Sequence, residues 1–206
     1  MTNHNKRLLW QIPFLILLIV GTVLIIRQQH NTPYQKCAGA IFGTTYHITY
    51  QYDDDLQPEL EAKMKEVDNA LSMFNKESII SRVNNNQPVA LNPMFVEVYQ
   101  QAQQISEDTD GAFDITVGPL VNAWGFGFKT EQMPTPEQVD SLLKIRSQLD
   151  YSAIAKGYGC DVAARVLSQH GVGDYMVEIG GEVYCAGVNA QGKPWHVSVE
   201  IGRAHV

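Results

Sequence analysis

Cysteine and basic residues are both scarce in this sequence of 206 residues, and each shortage excludes a class of protein. The three cysteines, Cys37, Cys160 and Cys185, form no CxxC pair and no even set, which argues against a zinc ribbon and a disulfide scaffold. Lysine and arginine number 15 against 22 acidic residues, so the net charge is −7. Such a chain lacks the basic surface that binds phosphate backbones, and no nucleic acid partner is expected.

One long apolar run occupies the amino-terminal end. Residues 8–26 carry no charge, and at about 1.5 Å per helical residue they cover nearly the ~30 Å hydrocarbon core of a bilayer. Lys6 and Arg7 precede the run, which favours a cytoplasmic amino terminus. We predict a signal anchor with one transmembrane helix at 1–27 and a polar stalk at 28–38; a cleaved signal peptide is the alternative. The protein would be single-pass in the inner membrane, with its globular domain on the periplasmic side.

The other end of the sequence also differs in character from the middle. Residues 195–200 alternate like a strand, and they run into the hexapeptide IGRAHV at 201–206. A common sequencing-library adapter encodes this hexapeptide when it is read in frame to a stop. We interpret 201–206 as a non-native tail, with a natural polar tail as the alternative. The globular domain at 39–200 is accordingly expected to be partial.

Helical and strand periodicities alternate between these ends without a regular βαβ rhythm, which predicts an α+β fold. A strand is expected over 40–52 and helical spacing continues over 60–74. Glycines at 180–181 can both take positive φ, so a hairpin is expected around them. Three further helices begin at the capping signals Asn92-Pro93, Thr135-Pro136 and Ser152.

Two features at 149–161 break the usual rules of helix composition. Lys156 falls near the start of the predicted helix, where the macrodipole disfavours a cation. Gly157 and Gly159 each cost about 1 kcal/mol relative to alanine inside a helix. An anion bound at the helix start would explain the lysine, and a closely approaching ligand or strand would explain the glycines. A surface lysine with packed glycines explains the pattern equally well.

Three other stretches combine polar, aromatic and glycine residues. At 111–127 aromatics interleave with glycines, which suits a planar ring ligand, although a packed strand and short helix fit as well. At 178–182 two acidic residues flank a glycine pair that a turn alone explains. At 74–84 polar residues follow a helix end, as in many loops.

Taken in order, these stretches resemble the ApbE-type FAD:protein FMN transferases over residues 39–200. The matching motifs are FGTTY at 42–46, SIISRVN at 78–84, GAFDITVGPLVNAWGFG at 111–127, LDYSAIAKGYGCD at 149–161 and EIGGEVYCAG at 178–187. The resemblance implies a T-fold that uses Mg²⁺ and takes FAD as substrate. It further implies transfer of FMN to a threonine or serine of a target flavoprotein, here a subunit of a membrane redox complex, with release of AMP. An FAD pyrophosphatase and a non-catalytic, membrane-tethered flavin-binding protein are the alternatives.

The resemblance also implies site residues. A magnesium ligand would come from the backbone oxygen of Ala153. The family's acidic, threonine-containing magnesium motif and its proton acceptor are expected beyond Glu200, and sequence is expected to be missing around 144–148. We therefore assign no catalytic residue and expect the chain as written to be inactive. The implied FAD contacts are Phe42, Phe74, Ala112, Phe113, Asp114, Asp150 and Lys156.

Overall fold

The computed structural model describes residues 3–125, 133–144 and 148–198, with side chains throughout these ranges except at 3–11 and 27–31. The end of the predicted motif at 126–127, the segment 145–147 and the tail at 201–206 lie outside the described residues. In chain order the elements are α1 (Asn3–Asn31), β1 (Tyr34–Ile41), β2 (Thr44–Gln51), α2 (Gln57–Leu71), α3 (Ile79–Asn84), α4 (Pro93–Asp108), α5 (Gly118–Ala123), α6 (Pro136–Leu142), α7 (Ala155–Gln169), β3 (Tyr175–Ile179) and β4 (Glu182–Ala186).

The four strands form one antiparallel sheet in the order β1-β2-β3-β4, and the helices α2 to α7 all lie in the chain between β2 and β3. This arrangement confirms the α+β prediction. The single strand predicted at 40–52 is wrong, because the chain turns back at Phe42 and Gly43, whose φ values are 53° and 74°. Two consecutive residues with positive φ form the tight turn that suits the twist of a two-stranded hairpin. β1 also begins at Tyr34, so the sheet includes residues that we assigned to the stalk.

The core lies between one face of the sheet and the helices α2 and α7. Tyr46, Ile48 and Tyr50 alternate along β2 and are at most 1% exposed, as the sequence pattern predicts. They pack against apolar side chains of both helices, including Leu60 of α2 and Leu167 of α7. A second cluster joins the other side of α2 to α3, α4 and the start of α7. The start of α7 is therefore held from two sides.

Helix starts follow the predicted capping signals in two cases out of three. Asn92 accepts a hydrogen bond from the Phe95 amide at 2.8 Å, and Thr135 forms a capping box with Gln138. The predicted cap at Ser152 is wrong, since α7 begins at Ala155 and no side chain at its start accepts a hydrogen bond from a helix amide among the described residues. The Ser152 amide instead donates to the side chain of Asp150 at 2.8 Å, a local turn that competes with helix formation.

Two terminal predictions have different outcomes. Among the residues that the structure describes, no helix combines the length and the apolar character needed to cross a membrane. The transmembrane helix predicted within 1–27 is therefore not confirmed and stays a prediction.

The strand predicted at 195–200 is absent from 195–198, where the Trp195 indole donates to the Ala186 carbonyl at 2.9 Å. Residues 199–200 lie outside the described part of the chain.

The packing predicts a large difference in reactivity among the three thiols. Cys37 and Cys160 are buried and Cys185 is exposed. Burial raises the pKa of Cys37 to about 11 and that of Cys160 to about 12, so both remain protonated at pH 8. We expect the thiol reagent DTNB at pH 8 to modify one cysteine rapidly in the folded protein and all three after denaturation. Cys185→Ser should remove the rapid reaction, and rapid modification of this variant would contradict the described core.

Candidate active site

The β1–β2 turn inserts an aromatic ring beside α7. Phe42 has a positive φ of 53°, a conformation that is unfavourable for a bulky residue. Its ring contacts both core clusters. A Cβ atom at Gly159 would lie 2.6 Å from Cε2 of this ring, so the close approach requires glycine there. Packing of the hairpin turn thus explains Gly159, whereas Gly157 has no neighbour within 4 Å of the corresponding position.

A cavity of about 110 Å³ opens beside the Phe42 ring. The turn contributes Phe42, the segment after α2 contributes Phe74, and the first turn of α7 contributes Lys156. Three of the predicted FAD contacts therefore meet at one place, although they are far apart in sequence. Phe74 is 66% exposed and lies at the surface of the cavity. Leu71, Ser72, Met73, Ser152 and Ala155 complete the lining.

Lys156 links the start of α7 to the β3–β4 turn. Its ammonium group donates to the Gly180 carbonyl at 3.0 Å and pairs with the Glu182 carboxylate at 2.8 Å. These two oxygens offset the unfavourable position of a cation near a helix amino terminus. Gly180 and Gly181 have φ values of 55° and 97°, which confirms the predicted hairpin turn.

A carboxylate on the neighbouring strand stabilises the same turn. Glu178 accepts a hydrogen bond from the Gly181 amide at 2.7 Å and pairs with His47 at 2.8 Å. Burial acts to raise the pKa of Glu178, but these two partners together with the charge of Lys156 outweigh it, and the pKa is lowered. The ionised Glu178 carboxylate therefore stabilises the turn through its bonds to Gly181 and His47. His47 has a structural role in this contact.

The predicted contact Asp150 is buried in the loop that leads to α7. Its Oδ1 accepts hydrogen bonds from both the amide and the hydroxyl of Ser152, which lines the cavity. Nothing among the described residues donates to the other carboxylate oxygen. Asp150 therefore lies next to the cavity with one oxygen committed to the local turn.

The segment at 112–118 lies beside this loop. The Asp150 amide donates to the Ile115 carbonyl at 2.7 Å, and Val117 forms a parallel bridge with Gln148. Among the predicted contacts of this segment, Ala112 is exposed and Phe113 packs on the second core cluster. Asp114 accepts hydrogen bonds from the amide and hydroxyl of Thr116 at 2.8 and 2.7 Å. The structure thus places this motif beside Asp150 rather than in the lining of the cavity.

A second groove, of about 490 Å³, lies between α4 and α7. Glu97 of α4 accepts a hydrogen bond from the Tyr158 hydroxyl at 2.6 Å. It also forms a salt bridge with Arg165 at 2.7 Å. The hydrogen bonds from Arg165 and Tyr158 lower the pKa of Glu97. These three side chains tie α7 to α4, and the guanidinium of Arg165 also lies 5.4 Å from the centre of the Tyr158 ring.

The predicted magnesium ligand lies at this groove, just before α7. The Ala153 carbonyl accepts no hydrogen bond from any residue that the structure describes, so its oxygen is available. Within the described ranges, however, no three His, Cys, Asp or Glu side chains are grouped as a metal site. Mg²⁺ requires about six oxygen ligands. The described residues therefore supply one candidate ligand and do not hold the ion by themselves.

Sequence reasoning missed one polar residue of this region. Asn84, at the end of α3, hydrogen-bonds through its side chain to the backbone of Leu149. Its position within the polar stretch at 74–84 was the available signal, but the partner is 65 residues away in the chain. Local pattern gives no information on such a pairing.

The fold and these contacts define an α+β chain whose separate motifs converge at the start of one helix. The sequence profile of the ApbE family matches residues 42–205. The chain therefore belongs to the ApbE family, as the motifs predict.

Curated relatives match this chain at moderate identity. The FAD:protein FMN transferase of Haemophilus influenzae is 36% identical over 207 residues, which cover 84% of this chain and 60% of the relative. That of Escherichia coli K12 is 30% identical, with 83% of this chain and 58% of the relative covered. The chain thus spans less than two thirds of the length of these relatives.

Solved structures of the family share the fold. The flavin transferase ApbE from Vibrio cholerae superposes with a TM-score of 0.75 at 34% identity, covering 82% of this chain and 64% of that one. The apo form of the flavinyl transferase ApbE from Pseudomonas stutzeri gives 0.73 at 30% identity, with coverages of 81% and 63%. The α+β fold of ApbE flavin transferases is confirmed for this chain.

Proposed function

We propose that the full-length protein transfers FMN from FAD to a threonine or serine hydroxyl of a target flavoprotein and releases AMP. The observation that carries the proposal is the convergence of the family's motifs around the start of α7, where one cavity opens. Phe42, Phe74 and Lys156 line that cavity, and Ser152 connects it to Asp150. The similarity to the FAD:protein FMN transferases of Haemophilus influenzae and Escherichia coli supports FMN transfer from FAD to a protein.

Each of these groups suits one part of FAD. The rings of Phe42 and Phe74 offer apolar faces to a planar heterocycle. The ammonium group of Lys156 is the local cation for a diphosphate, which would replace Glu182 or join it as a partner. Two unit charges of like sign at 4 Å repel by ~4 kcal/mol at an effective dielectric constant of 20, so a diphosphate near Asp150 needs compensation. We include Mg²⁺ in the proposal for that reason, with the Ala153 carbonyl as one ligand.

We also propose that α1 anchors the protein in the inner membrane, with the globular domain on the periplasmic side. The uncharged run at 8–26 supports this location. The large apolar side chains that are described in α1 are exposed, from 46% at Val23 to 71% at Leu17, and none of them belongs to either described core cluster. The target would then be a flavoprotein subunit of a membrane redox complex.

One assay separates the proposed transfer from its alternatives. We expect full-length protein, incubated with FAD, Mg²⁺ and a threonine-containing target peptide, to yield AMP and FMN-labelled peptide in equal amounts. Mass spectrometry of the peptide and chromatography of the nucleotides measure both products, and EDTA should stop their formation. Free FMN with unlabelled peptide would favour an FAD pyrophosphatase. Bound FAD without AMP would favour a flavin-binding protein that lacks turnover.

A further inference from the structure

The side chain of Asn84 joins two motifs that are distant in sequence. Its Nδ2 donates to the Leu149 carbonyl at 2.8 Å, and its Oδ1 accepts from the Leu149 amide at 2.8 Å. One carboxamide thus pairs with both backbone groups of one residue, as a neighbouring strand would. Only asparagine and glutamine carry a donor and an acceptor in this arrangement, since a carboxylate accepts only and a hydroxyl has a single atom.

Asn84 is itself held firmly at the end of α3. The Ser78 side chain caps this helix by accepting from the Ser81 amide at 3.1 Å. The buried Ser78 hydroxyl also donates to the Ser72 carbonyl at 2.7 Å, and Ser72 lines the cavity after α2. A chain of hydrogen bonds therefore leads from the cavity wall through α3 to Leu149. A carboxamide on such a support can fix the position of its partner.

Leu149 immediately precedes Asp150 in the chain. The Asp150 amide is bound on the other side by the Ile115 carbonyl at 2.7 Å. Asn84 therefore binds Leu149 and Ile115 binds Asp150. These two consecutive residues are held by two different segments of the chain. The carboxylate of Asp150 and the turn at Ser152 follow directly from this point, so their location depends on both contacts.

We propose that Asn84 is a positioning residue of the nucleotide site, which fixes the Leu149 backbone and thereby the place of the Asp150 carboxylate. This inference rests on the proposed function, because it assigns Asp150 to FAD. Asn84 acts through the loop and need not touch the ligand. Its loss should therefore weaken FAD binding by way of Asp150.

The test compares two neighbouring asparagines in the full-length protein. Asn84→Asp keeps the acceptor but replaces the donor with an oxygen facing the Leu149 carbonyl, and we expect the Kd for FAD to rise about tenfold. Asn85→Asp places the same charge one residue later, where the side chain, within the part of the chain that the structure describes, bonds only to the Ser81 carbonyl at 2.9 Å. That control should stay within about twofold of the unmodified protein. Flavin fluorescence measures the Kd, and circular dichroism verifies that each variant is folded.

A double variant distinguishes positioning from general destabilisation. If Asn84 acts through Asp150, Asn84→Asp should change the Kd by less than about twofold when Asp150 is already alanine. An undiminished effect in that background would overturn the inference. If Asn84→Asp does not fold, Asn84→Gln shifts the carboxamide by one methylene without a new charge and serves in the same comparison.

The two hypotheses fail in different ways. Unmodified full-length protein that does not bind FAD would overturn the proposed function and this inference with it. Normal FAD binding by both the unmodified protein and a folded Asn84→Asp variant would overturn only the role of Asn84.

Discussion

Replacing Lys156 by methionine in the full-length protein is expected to raise the Kd for FAD by about 10- to 100-fold. Methionine keeps an apolar stem of similar length and removes only the charge. Hydrogen bonds to charged groups contribute about 1.5–3 kcal/mol, which corresponds to this range. Lys156 supplies a cation at the cavity where Phe42 and Phe74 meet, so its loss should act on the diphosphate of the ligand. Fluorescence titration with FAD measures the change.

A second lysine provides the matched control for this result. Lys63 pairs with Glu66 at 2.8 Å on the exposed face of α2, and it is not among the residues that line the cavity. Exposed ion pairs of this kind contribute little to stability. Lys63→Met should leave the Kd for FAD unchanged. Equal effects of the two substitutions, or none from Lys156→Met, would contradict a phosphate contact at Lys156.

The second large effect concerns Gly159 and is an expected loss of stability. Alanine is the better helix former by about 1 kcal/mol, so Gly159→Ala would stabilise α7 if propensity alone decided the outcome. The added Cβ would lie 2.6 Å from the Phe42 ring and 3.4 Å from the Ile179 side chain. Overpacking of a filled core costs about 1–3 kcal/mol. We expect Gly159→Ala to lower the free energy of unfolding by about 1 kcal/mol, measured by urea denaturation.

Gly157 separates packing from propensity in the same helix. Among the described residues, no atom outside the adjoining backbone of α7 and the two chain neighbours lies within 4 Å of a Cβ built at Gly157. Gly157→Ala should therefore gain the helix propensity without a clash and raise the free energy of unfolding by up to about 1 kcal/mol. Phe42→Leu replaces the ring with a smaller side chain. In that background Gly159→Ala should lower the free energy of unfolding by less than it does in the unmodified protein. A stabilising Gly159→Ala would show that the hairpin turn can move away from α7 at little cost.

Local patterns predicted those elements whose cause is local. Tyr46, Ile48 and Tyr50 alternate because one face of β2 is buried, and Asn92 caps α4 through its own side chain. The hairpin at Phe42 was missed because bulky residues rarely adopt positive φ, and the turn depends on tertiary packing of the ring. The cap predicted at Ser152 does not form, because the Ser152 hydroxyl and amide both donate to the Asp150 side chain and α7 begins at Ala155.

Residue pattern alone predicts only one residue of the candidate site. Lys156 was singled out because a cation and two glycines near a helix start conflict with helix propensity, and the structure places it at the cavity. The other predicted contacts came from the resemblance to the family, which supplies long-range information that composition lacks. Neither local pattern nor the resemblance to the family predicts the role of Asn84. Its partner Leu149 lies in another motif, and only the folded chain brings the two residues together.

The position of the helices between β2 and β3 has a consequence for synthesis on the ribosome. The hairpin of β1 and β2 is local and can form early, whereas β3 pairs with β2 only after residues 52–174 have been made. Until then the outer edge of β2 presents unpaired amides and carbonyls to other nascent chains. The protein is thus most prone to aggregate during translation, before the second half of its sheet arrives.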